Sequence, residues 1–408
     1  MSEPGIQVHF EIPVRRMPAA PPPPAKPAVL AYGFRIFFLM GAVAALTLVA
    51  AWLGVYAFGV TFRHHMPMAH WHGHEMLFGF AGAIIAGFLL TAPGNWTGRP
   101  MPRGFPLGCL AGLWIAGRCA GFFPEFIPAW LYMLVDAAFM PALAVFVYRA
   151  LRGVPRHRHN LVFPVMLLAM TVANIVSHRM VRTQTGVSVG TEVMLYLVLL
   201  MISVMGGRVI PGFTLGQFPN GRTRVSPWLD WIAIGSLPLV LLADLTGAPA
   251  MFVAMLSLAA ATVHGARLVG WHTPEMWRIP LVWLLHVGYG WMALGFVMKA
   301  GAILGFAPPL LFRHAFTAGT IGGVIFAMIC RVSLGHTGRS LHLPRFVPLA
   351  MVLICLAPVL RVLMPWVVPM HLLLWIKLSG VAWIAAFGIY VFCYAPMLCQ
   401  PRADGRPG

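Results

Sequence analysis

The sequence predicts an all-α, polytopic membrane protein of about twelve helices, and three observations predict it. Hydrophobic residues make up 60% of the chain and charged residues only 9%, where a soluble domain carries about 25% charged residues. Twelve apolar runs approach the length of about 20 residues that a bilayer core of about 30 Å demands. Once those runs are threaded through a membrane, the basic residues segregate to one side.

The elements follow in order. Residues 1–30 hold Glu3, Glu11, Arg15, Arg16 and a proline-rich run from Pro18 to Pro27, so they read as a disordered cytoplasmic arm with polyproline-II character and no secretory signal. Residues 31–397 read as a single transmembrane domain, and 398–408 as a short cytoplasmic tail. The spans run near 32–58, 74–92, 105–122, 127–149, 161–181, 190–211, 228–246, 249–270, 279–300, 312–335, 345–364 and 367–396. Their limits come from punctuation such as Pro93-Gly94-Asn95, Pro219-Asn220-Gly221 and Pro308-Pro309. The 35 prolines and 42 glycines suit membrane helices, whose neighbours satisfy the freed backbone groups. Six cysteines without a CxxC pair read as core filler.

With the amino terminus inside, 20 of the 28 Lys and Arg residues fall on the cytoplasmic side and 8 on the other. That split predicts both termini inside and an even number of spans. It also accounts for most of the net charge of +18 as topology, and no cluster of bases interleaved with exposed aromatics supports a nucleic-acid partner. The expected partner surface is the lipid bilayer.

Ionisable groups at membrane depth are costly, so each is a candidate for function. Among the 16 histidines, His9, His157, His159 and His342 fall in tails or loops, and so do His64 and His65, as solvated side chains. Eight of the others form two levels. The outer level holds His70, His72 and His74 at the start of the second span, His178 at the end of the fifth and His314 at the start of the tenth. Five imidazoles on three helices point to metal or haem ligation, since neutral imidazole is the commonest metal ligand; interfacial packing is the simpler account of any single one. Glu75, beside His74, fits a hydrogen-bonding partner to the metal ligands, a proton acceptor, or merely an acid favoured at a helix start. The segment His64-His65-Met66-Pro67-Met68-Ala69-His70 mixes imidazole and thioether, a combination suited to copper.

The inner level holds His264, Arg267, His286, Arg331, His336 and Arg208. His286 lies roughly 12 Å from the boundary residue Arg278 by helical rise, which makes it the deepest histidine and a candidate ligand to metal or haem; a helix-to-helix hydrogen bond is the alternative. Gly288 and Gly290 beside it allow a flat group or another helix to approach. Arg208, Arg267 and Arg331 either snorkel at helix ends or bind an anionic group such as a propionate. Three adjacent helices, the eighth to tenth, are expected to bring His264, His286 and His336 to one cavity. Asp230, Asp244 and Glu275 read as helix-end residues.

Several strings resemble the NnrS family. They are Trp71-His72-Gly73-His74-Glu75-Met76-Leu77-Phe78-Gly79-Phe80, Gly206-Gly207-Arg208, His264-Gly265-Ala266-Arg267, Leu285-His286-Val287-Gly288-Tyr289-Gly290-Trp291, and Arg313-His314-Ala315 through Gly335-His336-Thr337-Gly338-Arg339. Together they reach from about residue 70 to 340. The resemblance implies a bacterial inner-membrane protein that carries haem, of the b type, and copper, and that acts in nitric-oxide metabolism or resistance to nitrosative stress. It does not say which histidine takes which metal, or whether nitric oxide is turned over. A transporter of metal, haem or a small molecule is the competing reading; carriers often show repeated halves, and neither the HGHE nor the LGHTGR string recurs in the opposite half. A sensor is a third class, but the loops leave no room for an output domain.

Overall fold

The computed structural model describes residues 28–183 and 186–406; the amino-terminal arm expected over residues 1–30 lies almost wholly outside them. The spans are α1 (Gly33–Phe58), α2 (Met68–Thr97), α3 (Phe105–Ala120), α4 (Ala129–Leu151), α5 (Pro155–His178), α6 (Val189–Gln217), α7 (Pro227–Leu245), α8 (Ala250–Trp271), α9 (Pro280–Ile303), α10 (Leu311–His336), α11 (Val347–Val367) and α12 (Pro369–Cys399). Eleven are long and apolar enough to cross a membrane, and α3 is a shorter apolar helix between two of them. Among the described residues no strand forms, and one isolated bridge pairs Arg182 with Ser188. Apolar side chains face outward at helical spacing, as Val165, Leu168 and Val172 do on α5, and such a stripe is stable only against lipid.

The boundaries follow local chemistry. Proline opens α7 and α9, where its missing N–H costs nothing. Left-handed glycines close α1 at Gly59 and α2 at Gly98. The second span begins at Met68, one and a half turns earlier than expected, so His70, His72 and His74 lie within the helix.

The twelve helices close a ring. Within it α4 packs on α5, α8 on α9, and α12 returns to α1. The second, sixth and tenth helices start at Met68, Val189 and Leu311, and the fourth, eighth and twelfth at Ala129, Ala250 and Pro369, a recurrence of about 120 residues of the kind that marks internal repeats. Three units of four helices thus make up the bundle. The HGHE and LGHTGR strings do not repeat, so the recurrence belongs to helix order and is silent at the level of motifs. It is also not the pair of rocking halves on which carriers rely.

Inside the ring, α6 packs against both α2 and α10. Burial follows: 83% of the apolar window of α2 and 72% of that of α10 is buried, against 22% for α7 on the periphery. Ring closure has its own fastener. Arg35 of α1, fully buried, donates from Nη1 to the carbonyl oxygens of Leu398 (2.9 Å), Gln400 (2.8 Å) and Met397 (3.3 Å), which caps the end of α12.

Candidate functional site

Both central helices that carry the first level of histidines lose their α-helical register at the same point. A π-helical stretch runs over Glu75–Ala81 directly after His74, and a second over Ala315–Ile321 directly after His314. Such wide turns swing side chains away from the 3.6-residue repeat and concentrate at functional sites. Gly79 within the first leaves room for Arg118, whose Nη1 would sit 3.1 Å from a Cβ at that position.

The first group of residues is a buried polar cluster between α2, α3, α4 and α5. One donor atom each from His74, Asp136 and His178 lies within 4.8 Å of the others. His178 Nε2 is 2.9 Å and His74 Nε2 3.2 Å from Asp136 Oδ2, while Arg118 pairs with the other carboxylate oxygen, Oδ1. Arg118 therefore fixes the carboxylate so that one oxygen faces both imidazoles. Its Nη1 also donates to Glu75 Oε2 at 3.1 Å, and Glu75 Oε1 lies 3.2 Å from His74 Nδ1. Close approach of α3 and α4 makes this possible: a Cβ on Gly117 would come within 3.0 Å of the Asp136 backbone. His70 borders the cluster, with its ring 6.5 Å from that of His74 and its Nε2 2.9 Å from Ser177 Oγ.

His64 and His65, expected as solvated loop residues, are half-buried against this cluster. His65 stacks on Tyr132 and its Nε2 donates to the carbonyl of Ile127 at 2.8 Å. His64 packs edge-on to Trp71, Phe122 and Tyr132, and its Nδ1 accepts the N–H of Met66 at 2.9 Å. Burial pulls its pKa down to about 4. Apolar packing by Met66, Trp71 and Tyr132 closes this corner of the molecule and explains the difference.

The second group lines a cavity of about 390 Å³ at the same end of the bundle, within the 300–1,000 Å³ usual for ligand sites. His72 of α2 and His314 of α10 both face it, with His70, Trp52 and Trp383. The His72 ring stacks on Trp52, centroids 4.6 Å apart and planes 10° from parallel, and its buried Nδ1 has no hydrogen-bond partner among the described residues. Three arginines, Arg182, Arg313 and Arg361, meet one carboxylate, Glu192, in the wall. Arg313 donates to Glu192 at 2.9 Å, and Arg361, on a third π-helical turn over Val359–Leu363, makes no ion pair among the described residues. The wall thus carries two positive charges in excess, beside large apolar surfaces.

The opposite level behaves differently. His264 Nδ1 is 2.7 Å from Tyr289 Oη, and Arg267 donates to Asp230 (2.8 Å), Ser203 (2.8 Å) and Tyr289 (2.5 Å). Asp230 is therefore a half-buried ion-pair partner at its helix end and not a bare one; Asp244 likewise pairs with Lys299. Both ring nitrogens of His286 face backbone carbonyls, of Val282 at 3.0 Å and Trp271 at 3.4 Å, which leaves no lone pair aimed at a metal. Gly288 admits the backbone of α10 at Gly323 and Val324, so the close approach expected there is made by a helix. His264 and His286 share the neighbourhood of Trp271 and Tyr289, but His336 lies against Phe34 of α1, 5.4 Å between rings. Arg208 donates to Asn160 at 2.7 Å, and Arg331 sits 3.9 Å over Phe213. Of the three histidines expected in one cavity, His336 thus stands apart from the other two, because ring closure carries the end of α10 to α1.

Asp136 and Arg118, central to the cluster, are the residues that motif reading passed over. Their signal was present: each is a charge inside an apolar run, where charge is expensive. A sequence search of curated proteins returned no match. The family described as NnrS protein matches residues 28–402, nearly the entire chain. This polytopic membrane protein, with its paired histidine sites on α2 and α10, belongs to the NnrS family.

Proposed function

We propose that the protein is a haem- and copper-binding protein of the bacterial inner membrane, with both termini cytoplasmic, that acts in nitric-oxide metabolism or resistance to nitrosative stress. Family membership supports the link to the nitric-oxide response. The observation that carries the cofactor reading is the cavity between His72 and His314. An imidazole from either helix would offer the iron a ligand, apolar walls suit a macrocycle, and two uncompensated arginine charges suit two propionates. The buried Nδ1 of His72, without a hydrogen-bond partner among the described residues, supports a polar partner beyond the chain for this ring. When bound there, haem supplies an iron able to take a diatomic ligand.

The residues of the chain do the rest. His72 or His314 would hold the iron and leave its other position to a diatomic ligand, Trp52 fixes the plane of His72, and Arg361 and Arg182 would hold anionic groups at the wall. His74, Asp136 and His178 offer two nitrogens and an oxygen to copper, a donor set that suits Cu(II). Arg118 and Glu75 orient them from behind. Two of the donor separations, 2.9 and 3.2 Å, already match ligands spaced around an ion with bonds of about 2 Å.

Optical and metal analysis of the purified protein tests this reading. A Soret band with bound copper is expected; His72→Ala or His314→Ala should abolish or shift the band, His178→Ala should lose copper and keep haem, and His286→Ala should do neither. A folded, colourless, copper-free protein would refute the reading and favour transport.

A further inference from the structure

Directly beyond the His72 cavity, α2, α6 and α10, with Phe38 of α1 and Leu285 of α9, line a second space of a different kind. It measures about 90 Å³, and its wall presents no polar surface. Successive turns connect the two: Phe80 of α2, Leu195 of α6 and Ile321 of α10 line the first cavity, and Ile84, Val198 and Ile325 line the second. Three or four residues along a helix rise about 5 Å, so the apolar space is stacked under the polar one on the axis of the ring.

A space with these walls stays dry, because a buried water needs two to four polar partners and none is offered. Its occupant must be apolar and small; a cavity of about 150 Å³ takes benzene or xenon, and this one is smaller. Phe88, Ile202 and Met205 at its edge are only partly buried and the space is not fully enclosed, so a small apolar solute can reach it from the hydrocarbon layer, where uncharged gases dissolve better than in water. We propose that this cavity is a docking site for a small uncharged gas of the diatomic class, and that it passes the gas from the lipid to the His72 cavity along the centre of the bundle. The proposal rests on the haem reading only in taking nitric oxide as the gas.

Xenon tests it without any cofactor. The full chain in lipid nanodiscs under xenon pressure should show a saturable xenon site between Ile84, Val198 and Ile325, by cryo-electron microscopy or xenon NMR. Val198→Phe should abolish that site, and Val198→Ala should retain it, which covers the case in which the larger residue prevents folding. A lipid acyl chain in the space, no saturable xenon, or xenon binding indifferent to Val198→Phe would overturn the proposal. In haem-loaded protein, Val198→Phe should also slow nitric-oxide rebinding after photolysis; an unchanged rate with xenon lost would refute the delivery role. A colourless protein that still binds xenon there would leave the docking site standing and refute the haem reading instead.

Discussion

Removing Arg118 probes the polar cluster most directly. Its guanidinium is bonded to Glu75 and Asp136, which are 2% and 3% exposed. In Arg118→Met the methylene volume stays and the charge goes, leaving two carboxylates buried within reach of each other's hydrogen-bonding partners. Breaking one buried pair by deleting one partner costs about 3–5 kcal/mol. We therefore expect a loss of about 3–5 kcal/mol, read as a lower midpoint in thermal unfolding followed by size-exclusion fluorescence, with copper lost if the metal reading holds. Arg63→Ala is the control, because the Arg63 and Glu125 side chains are 80% and 57% exposed and such pairs contribute little. Adding Glu75→Gln and Asp136→Asn to Arg118→Met should recover at least half of the loss, since coupled residues are not additive. If Arg118→Met unfolds no earlier than Arg63→Ala, or if the triple variant is worse than the single, the cluster is not held by this charge balance.

Two further outcomes follow from the geometry. His64 is neutral in the folded protein down to about pH 4, whereas the unfolded chain protonates it near 6.5, so stability is complete above about pH 6.5 and falls as pH drops toward 4; after discounting for partial exposure the loss is about 1–2 kcal/mol. His64→Phe should flatten that part of the pH profile of thermal unfolding, and an unchanged slope would refute the assignment. Arg35→Leu removes three carbonyl hydrogen bonds at the end of α12, with an expected cost of about 2–4 kcal/mol. Limited proteolysis should then cut after Cys399 much faster than in the parent, and equal rates would show that the carbonyls are capped by other means.

The sequence by itself determined the membrane class, the order of the apolar helices and the relative heights of the histidines along them, because hydropathy and helical rise are local properties; it counted twelve spans where eleven helices among the described residues are long enough. The expected span of 105–122 and the observed α3, Phe105–Ala120, differ by one turn at most. Equal depth was enough to place His74 and His178 at one end, and their rings lie 5.2 Å apart. Equal depth was not enough for His264, His286 and His336, since it fixes height along the membrane normal and leaves the position around the ring open. Only packing decided that α10 ends against α1, which carries His336 to Phe34. Packing likewise selected Asp136 and Arg118 from the scattered charges, through the close approach of α3 and α4 at Gly117, and it buried His64, which a solvated loop would have left exposed. His72 and His74 part toward the cavity and toward Asp136 because two residues of ordinary helix separate them by about 200°, whereas the π-helical turns after His74 and His314 came only with the tertiary structure. No string predicts them, because a wide turn is stabilised by the neighbouring helices that fill the space it opens.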